Sequence, residues 1–189
     1  METSELLKRY AEGERDFKGV TLRDARLSGV NLGGINLSRT ILTGANLTDA
    51  NLSNANLSEA NLSGSDLSRT NLFGAFLSGA DLSQSVLKAA NLNESDLSGA
   101  SLVDADLSDT HLHLTCLSEA NLQGATLMGA KMSGARLWKA NLSDANLSGV
   151  DLCDANLCEV NLAGANLEAA DFSESVLTGA TMPNGDVHD

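Results

Sequence analysis

NLTDANLSNANLSEANLSGSDLS, residues 46 to 68, brings a leucine back every fifth residue. An α-helix advances about 100° per residue, so a step of five carries each leucine about 140° round the axis. Leucines spaced in this way wander over every side and leave no buried stripe. A strand alternates its faces, so an odd step throws successive leucines to opposite sides. Neither element buries the pattern. A chain that turns a corner in every quintet does bury it, because each leucine then returns toward a shared axis.

The same spacing extends far beyond this stretch. Taking the leucine as the centre of its quintet, centres run from Phe17 to Met182 without a slip, 34 quintets of which 30 are centred on Leu. Phe17, Met132, Phe172 and Met182 are the other centres, all apolar. Two residues before the centre stands Ala in 20 cases, and Ser, Thr, Val or Ile in all the rest but Arg15. Large centre and small partner both point inward, and alternation of the two sizes fills a narrow axis without voids. The residue before the centre is Asn or Asp in 21 quintets, placed to stack outside the core in hydrogen-bonded ladders. Two after the centre sits Gly in 14 quintets, where a corner needs φ > 0.

Fixed self-similarity at a short period predicts a solenoid whose turns bury their inner faces only by stacking. The pattern A-(N/D)-L-x-x, as in Ala50-Asn51-Leu52-Ser53-Asn54, resembles the pentapeptide-repeat family, and the resemblance covers residues 15 to 184. It implies an all-β fold, a right-handed quadrilateral β-helix with four quintets per coil and about 8.5 coils. At roughly 4.8 Å per stacked strand such a rod is about 40 Å long. The chain then divides into an N-terminal capping helix (1–14), the repeat (15–184) and a C-terminal tail (185–189). It looks most like the stand-alone members common in cyanobacteria and other bacteria.

Both ends need covering, because terminal coils otherwise expose apolar faces and strand edges. SELLKRYAE, residues 4 to 12, predicts a short α-helix with Ser4 as N-cap, Gly13 after its end, and Leu6, Leu7 and Tyr10 as the stripe that lids the first coil. At the other end Pro183-Asn184-Gly185 is a turn that stops the repeat. The four residues after it suffice for a strand folded across the last coil. That self-capping and a monomer are expected over a C-terminal end-to-end dimer.

Composition narrows the function. With 25 acidic and 12 basic side chains the formal charge is −13, against direct nucleic-acid binding, which needs clustered Lys and Arg. No membrane span and no leader-like apolar run is present, so a cytoplasmic protein is expected. Cys116, Cys153 and Cys158 predict free thiols rather than a disulfide framework. His111, His113 and Cys116 form the one metal-like grouping, but a convex wall offers neither a further ligand nor enclosure, so they are read as surface residues. No phosphate loop, nucleophile elbow or triad is present; no enzyme activity, cofactor or metal is expected.

Two surfaces remain. Phe73, Phe76, Leu114, Met128 and Trp138 are large apolar residues in outward positions, with Phe73 and Phe76 bracketing one corner, Trp138 on the Phe76 side and Leu114 near the same edge. They are candidate anchors for an unidentified protein partner. Glu94, Asp151, Asp154, Asp171 and Glu174 mark the most acidic side, opposed only by Lys131. The expectation is a noncatalytic rigid scaffold and protein-interaction module. The alternative, implied by the resemblance, is a DNA mimic that binds DNA gyrase and modulates quinolone sensitivity. Arg23, Arg69, Arg136 and Lys139 dilute the acidity of the other sides, and nothing interrupts the repeat between 17 and 182 where resistance members carry projecting loops.

Overall fold

A computed structural model describes residues 1–189. After one helix, α1 (Thr3–Ala11), every quintet takes the same local shape. The residue before each centre makes a parallel bridge to the residue twenty further on: Asp16 to Asn36, Thr21 to Ile41, Arg26 to Asn46, Asn31 to Asn51, and so on to Asn161–Thr181. Four ladders therefore run the length of the molecule, and we call the sides they form the first to fourth walls in that order. The amides of each centre and of the residue two after it donate to the next rung, as Leu97 does to the Cys116 carbonyl at 2.7 Å and Gly99 to Ser118 at 2.9 Å. One more bond closes the corner, from the Ala100 amide to the Leu97 carbonyl at 3.0 Å.

The corner geometry is uniform. From residue 19 to residue 179 the position two after the centre has φ > 0 in every quintet, and at 19 of them the residue is not glycine. Glycine is thus not what permits the corner; the inter-rung bonds impose the left-handed conformation on whatever residue stands there, against a steric cost of about 1–2 kcal/mol. What glycine adds is room for the rung below. A Cβ at Gly44 would lie 2.5 Å from Asp24 Oδ1, and one at Gly124 equally close to Asp104 Oδ1. Where two side chains do meet on a corner they are often oppositely charged, as in Arg69–Asp49 at 2.7 Å and Arg39–Glu59 at 3.0 Å.

Inside, 53 residues form one continuous apolar column, with every centre from Phe17 to Leu162 at most 2% exposed. Hydroxyls enter it only with a partner: Thr40 Oγ1 donates to the Leu37 carbonyl at 2.6 Å and Thr70 Oγ1 to Leu47 at 2.7 Å. No buried side-chain nitrogen or oxygen lacks a hydrogen bond.

Asparagine works first within its own turn. Its Oδ1 accepts the amide two residues on, as Asn51 does from Ser53 at 3.0 Å, and Asp fills the slot in the same way, as Asp66 from Ser68 at 2.9 Å. Rung-to-rung bonds join Asn to Asn from Asn31 through Asn91 on the fourth wall, from Asn121 through Asn161 on the second and at Asn146–Asn166 on the third, and join Asn36 to Asp16 on the first. Asn56 lies between Asn36 and Phe76, and its one side-chain bond is to the Ser58 amide. Asn56→Ala should therefore cost about 1 kcal/mol or less in urea denaturation, and Asn51→Ala measurably more, because Asn51 also holds Asn31 and Asn71.

Helix α1 starts one residue earlier than its sequence predicts. Its N-cap is Glu2, with no side-chain bond, and not Ser4, which lies in the first turn. The Met1 ammonium, just before that turn, donates to the Thr21 carbonyl at 3.1 Å. Leu6 is fully buried, Leu7 and Tyr10 pack beside it, and Tyr10 Oη donates to the Gly33 carbonyl at 2.8 Å. Arg15, the one charged residue at an inner position, turns out instead over the Tyr10 ring, 3.9 Å from its centroid.

At the other end the tail bends back. Thr181 and Val187 form an antiparallel bridge, and Gly179 and His188 exchange bonds with each other's strand at 2.8 Å. This return strand serves the second wall alone. Leu167, Phe172, Leu177 and Met182 accordingly stay only partly buried.

Candidate interaction surfaces

Phe73, Phe76 and Leu114 gather where the fourth wall turns into the first, at 38%, 53% and 45% exposure. Phe73 follows a fourth-wall centre, and Phe76 bridges Asn56 and Asp96 on the first wall. Leu114 occupies the corner itself, two rungs from Gly74, or about 10 Å. Its φ is +56°, and its side chain leans over the next rung, where a Cβ on Gly134 would come within 2.8 Å of its Cδ2. It is the one large apolar residue held in this conformation.

Trp138 lies on the first wall three rungs farther along and is already engaged. Its Nε1 donates to Glu159 Oε1 at 3.4 Å, the Lys139 ammonium stands 4.4 Å from the ring centroid, and Lys139 pairs with Glu159 at 3.5 Å. Met128 belongs to the third wall, across the rod from Phe76 and Trp138, so the five apolar candidates do not share one surface. Val86, 37% exposed, is also on the third wall, in a slot where Asn or Asp is usual. That departure from the repeat was the signal for it.

Of the acidic candidates, four converge. Asp151 bridges Asp171, with Lys131 one rung below, while Asp154 and Glu174 hold the neighbouring corner. Glu94 stands apart, three rungs below Asp154 and next to Leu114. Hydrogen bonds from the Ser173 hydroxyl and amide and the Cys153 thiol hold Asp171 below the usual carboxylate range. The reverse holds for Cys153, whose thiol is pushed up to about 11 by its bond to Asp151, by burial, and by Asp171.

His111 bridges Asn91 and Lys131, and His113 Nδ1 lies 2.8 Å from Ser133 Oγ. Cys116 is round the corner between Asp96 and Arg136, 3.0 Å from Ser98 Oγ. No three metal-ligating side chains converge. Burial raises the Cys116 thiol, but bonds with Ser98, with the Ser118 amide and hydroxyl and with Arg136 outweigh it and leave the thiol below its ordinary value. At pH 8 a lowered thiol carries more thiolate and a raised one less. Iodoacetamide should therefore alkylate Cys116 well before Cys153, a ranking that peptide mass spectrometry reads directly. An open groove of about 450 Å³ between the start of α1 and the first coil, lined by Met1, Glu2, Arg23 and Arg26 among others, lies far from both surfaces.

No helix is long and apolar enough to cross a membrane. No curated protein matches the chain. The family description "Pentapeptide repeats (8 copies)" matches residues 21–58, 50–88, 85–124, 120–157, 140–179 and 155–188. Among solved structures, HetL of Nostoc sp. strain PCC 7120, a pentapeptide repeat protein involved in heterocyst differentiation regulation, is 33% identical over 100% of both chains, with a TM-score of 0.40. A trypsin-treated form of QnrB1, a plasmid-mediated fluoroquinolone resistance protein, is 21% identical over 86% of this chain and 85% of its own, with a TM-score of 0.76. Rfr23 of the cyanobacterium Cyanothece 51142 is 27% identical over 92% of each chain, with a TM-score of 0.28. Matched across nearly all its quintets, this chain belongs to the pentapeptide-repeat family, and its stacked coils are those of a right-handed β-helix.

Proposed function

We propose that the chain is a noncatalytic, cytoplasmic scaffold, a four-sided rod of about 8.5 coils that binds a protein partner along the edge of Phe73, Phe76 and Leu114. Leu114 carries the reading. A large side chain at φ > 0 costs stability, and leaving 45% of it in water forgoes the burial that would offset the cost. Such a residue fits a surface completed by another molecule. The absence of an enclosing cleft on the walls supports a noncatalytic role. The test pairs stability with binding. Leu114→Gly should raise thermal stability by up to about 1 kcal/mol, because glycine takes φ > 0 freely. The same change, combined with Phe73→Ser and Phe76→Ser, should abolish capture of a partner held by the natural chain. Undiminished capture by the triple variant would remove this edge from the account.

A second reading is a DNA mimic acting on gyrase. It is favoured by the run of Asp151, Asp154, Asp171 and Glu174, and by the absence of any Lys or Arg after Lys139. The likeness to QnrB1 concerns the fold alone. Supercoiling by gyrase, titrated with the protein with and without a quinolone, separates the two readings. Inhibition or drug protection that disappears when the four carboxylates become amides would establish mimicry. Unchanged supercoiling leaves the scaffold.

A further inference from the structure

The two ends of the rod are not equivalent. In an interior rung the two amides of a quintet that face the C-terminal end find carbonyls above them: Leu147, Gly149, Leu152, Asp154 and Leu157 donate to Asn166, Glu168, Asp171, Ser173 and Val176 at 2.8–2.9 Å. One rung later the amides of Leu167, Ala169, Phe172, Glu174 and Leu177 have no protein partner, and neither do the carbonyls of Ala165, Ala170 and Ser175. The repeat stops inside the sequence, because Pro183–Gly185 turns the chain back and the return strand pairs on one wall only. Three walls thus end in an open edge with more donors than acceptors, above half-buried Leu167, Phe172 and Leu177.

Charge surrounds this edge on one sign. All 12 basic residues lie at or before Lys139, while Asp144, Asp151, Asp154, Glu159, Glu168, Asp171, Glu174, Asp186 and Asp189 follow it. A second copy set end to end would place one donor-rich edge on another and acid against acid, both unfavourable. The opposite end of a copy is acceptor-rich but lies under α1. We infer that the C-terminal edge binds an extended, basic segment of a partner protein, with apolar residues at quintet spacing, laid on as one further parallel rung. The rod supplies its own precedent for the pairing, since Arg69 sits one rung above Asp49 at 2.7 Å. A corner arginine on the added rung would meet Glu174 in the same way, and its carbonyls would take the five amides.

The probe is a fluorescent peptide of four Ile-Asn-Leu-Ser-Arg quintets, the sequence of Ile35–Arg39, which puts Arg at each corner, with a counterpart carrying Asp for Arg. Anisotropy with the full chain should show saturable binding of the basic peptide, about ten-fold weaker binding of the acidic one, and several-fold weakening in high salt. Asp171→Asn with Glu174→Gln, both exposed and harmless to folding, should weaken the basic peptide several-fold. Hydrogen exchange should slow at Leu167, Ala169, Phe172, Glu174 and Leu177 on peptide addition and nowhere along the side walls. Absence of saturable binding, or protection spread over the walls, would overturn the inference. So would a mass of twice 19.6 kDa with those five amides protected before peptide is added, since a second copy would then be the occupant. Leu114→Gly leaves peptide binding intact, so this end and the Leu114 edge stand or fall separately.

Discussion

Leu97→Asp is expected to lower stability by about 4 kcal/mol or more. Leu97 is fully buried at mid-rod, and its amide ties it to the rung of Cys116. A carboxylate there has no donor, because the surrounding column is apolar and every inward hydroxyl already bonds to a backbone carbonyl. It must therefore be buried charged, or protonate and still fill a leucine site with a smaller polar group. Each rung contacts only its neighbours, so the damage lies between two intact stacks. Urea denaturation followed by circular dichroism should show an earlier, broader or two-step transition. A shift no larger than that of Asn56→Ala would reject the inside and outside assignment of the quintet.

Leu6→Ala should be the next most damaging change, at about 3 kcal/mol. Leu6 is the only fully buried residue of α1 and seals the column beneath Phe17. Its truncation leaves a void at the cap, while Met1, Leu7 and Tyr10, which are partly exposed, cannot close it. The loss is directional. Hydrogen exchange should quicken in the first coil, residues 16–35, and fade toward mid-rod. Uniform acceleration, or none, would mean that α1 merely rests on the end without closing it.

The core was legible because its rule is arithmetical. A residue type that returns every fifth place, paired with a small residue two places before, leaves no other way to bury both. Corners were only half legible. Glycine marked 14 of them, yet the left-handed conformation recurs at Asp24, Leu114 and Lys139 alike, because bonds between rungs set it and those bonds leave no trace in local sequence. The role of Asn was partly hidden for a related reason: Oδ1 serves its own turn at Asn56 as readily as at Asn51, and Asn56 stands over Asn36 without bonding to it while Asn51 bonds to Asn31, a difference in side-chain placement that spacing does not express. The apolar surface shows the limit of reading outward positions singly. Counting modulo twenty sends Met128 to the far wall, while the engagement of Trp138 by Glu159 and Lys139 rests on side-chain reach that spacing does not express.

The asymmetry between a sealed first coil and an open last one has a mechanical consequence. Under tension applied through the two ends, the column unravels from the coil that has fewest bonds, which is the last, while α1 pins the first. Each rung resembles the one before it, so the load needed to peel it changes little along the rod. Every coil that opens frees twenty residues, about 70 Å of extended chain at roughly 3.5 Å per residue. The rod itself shortens by only about 5 Å each time. Pulled, this protein pays out length in equal steps under near-constant force.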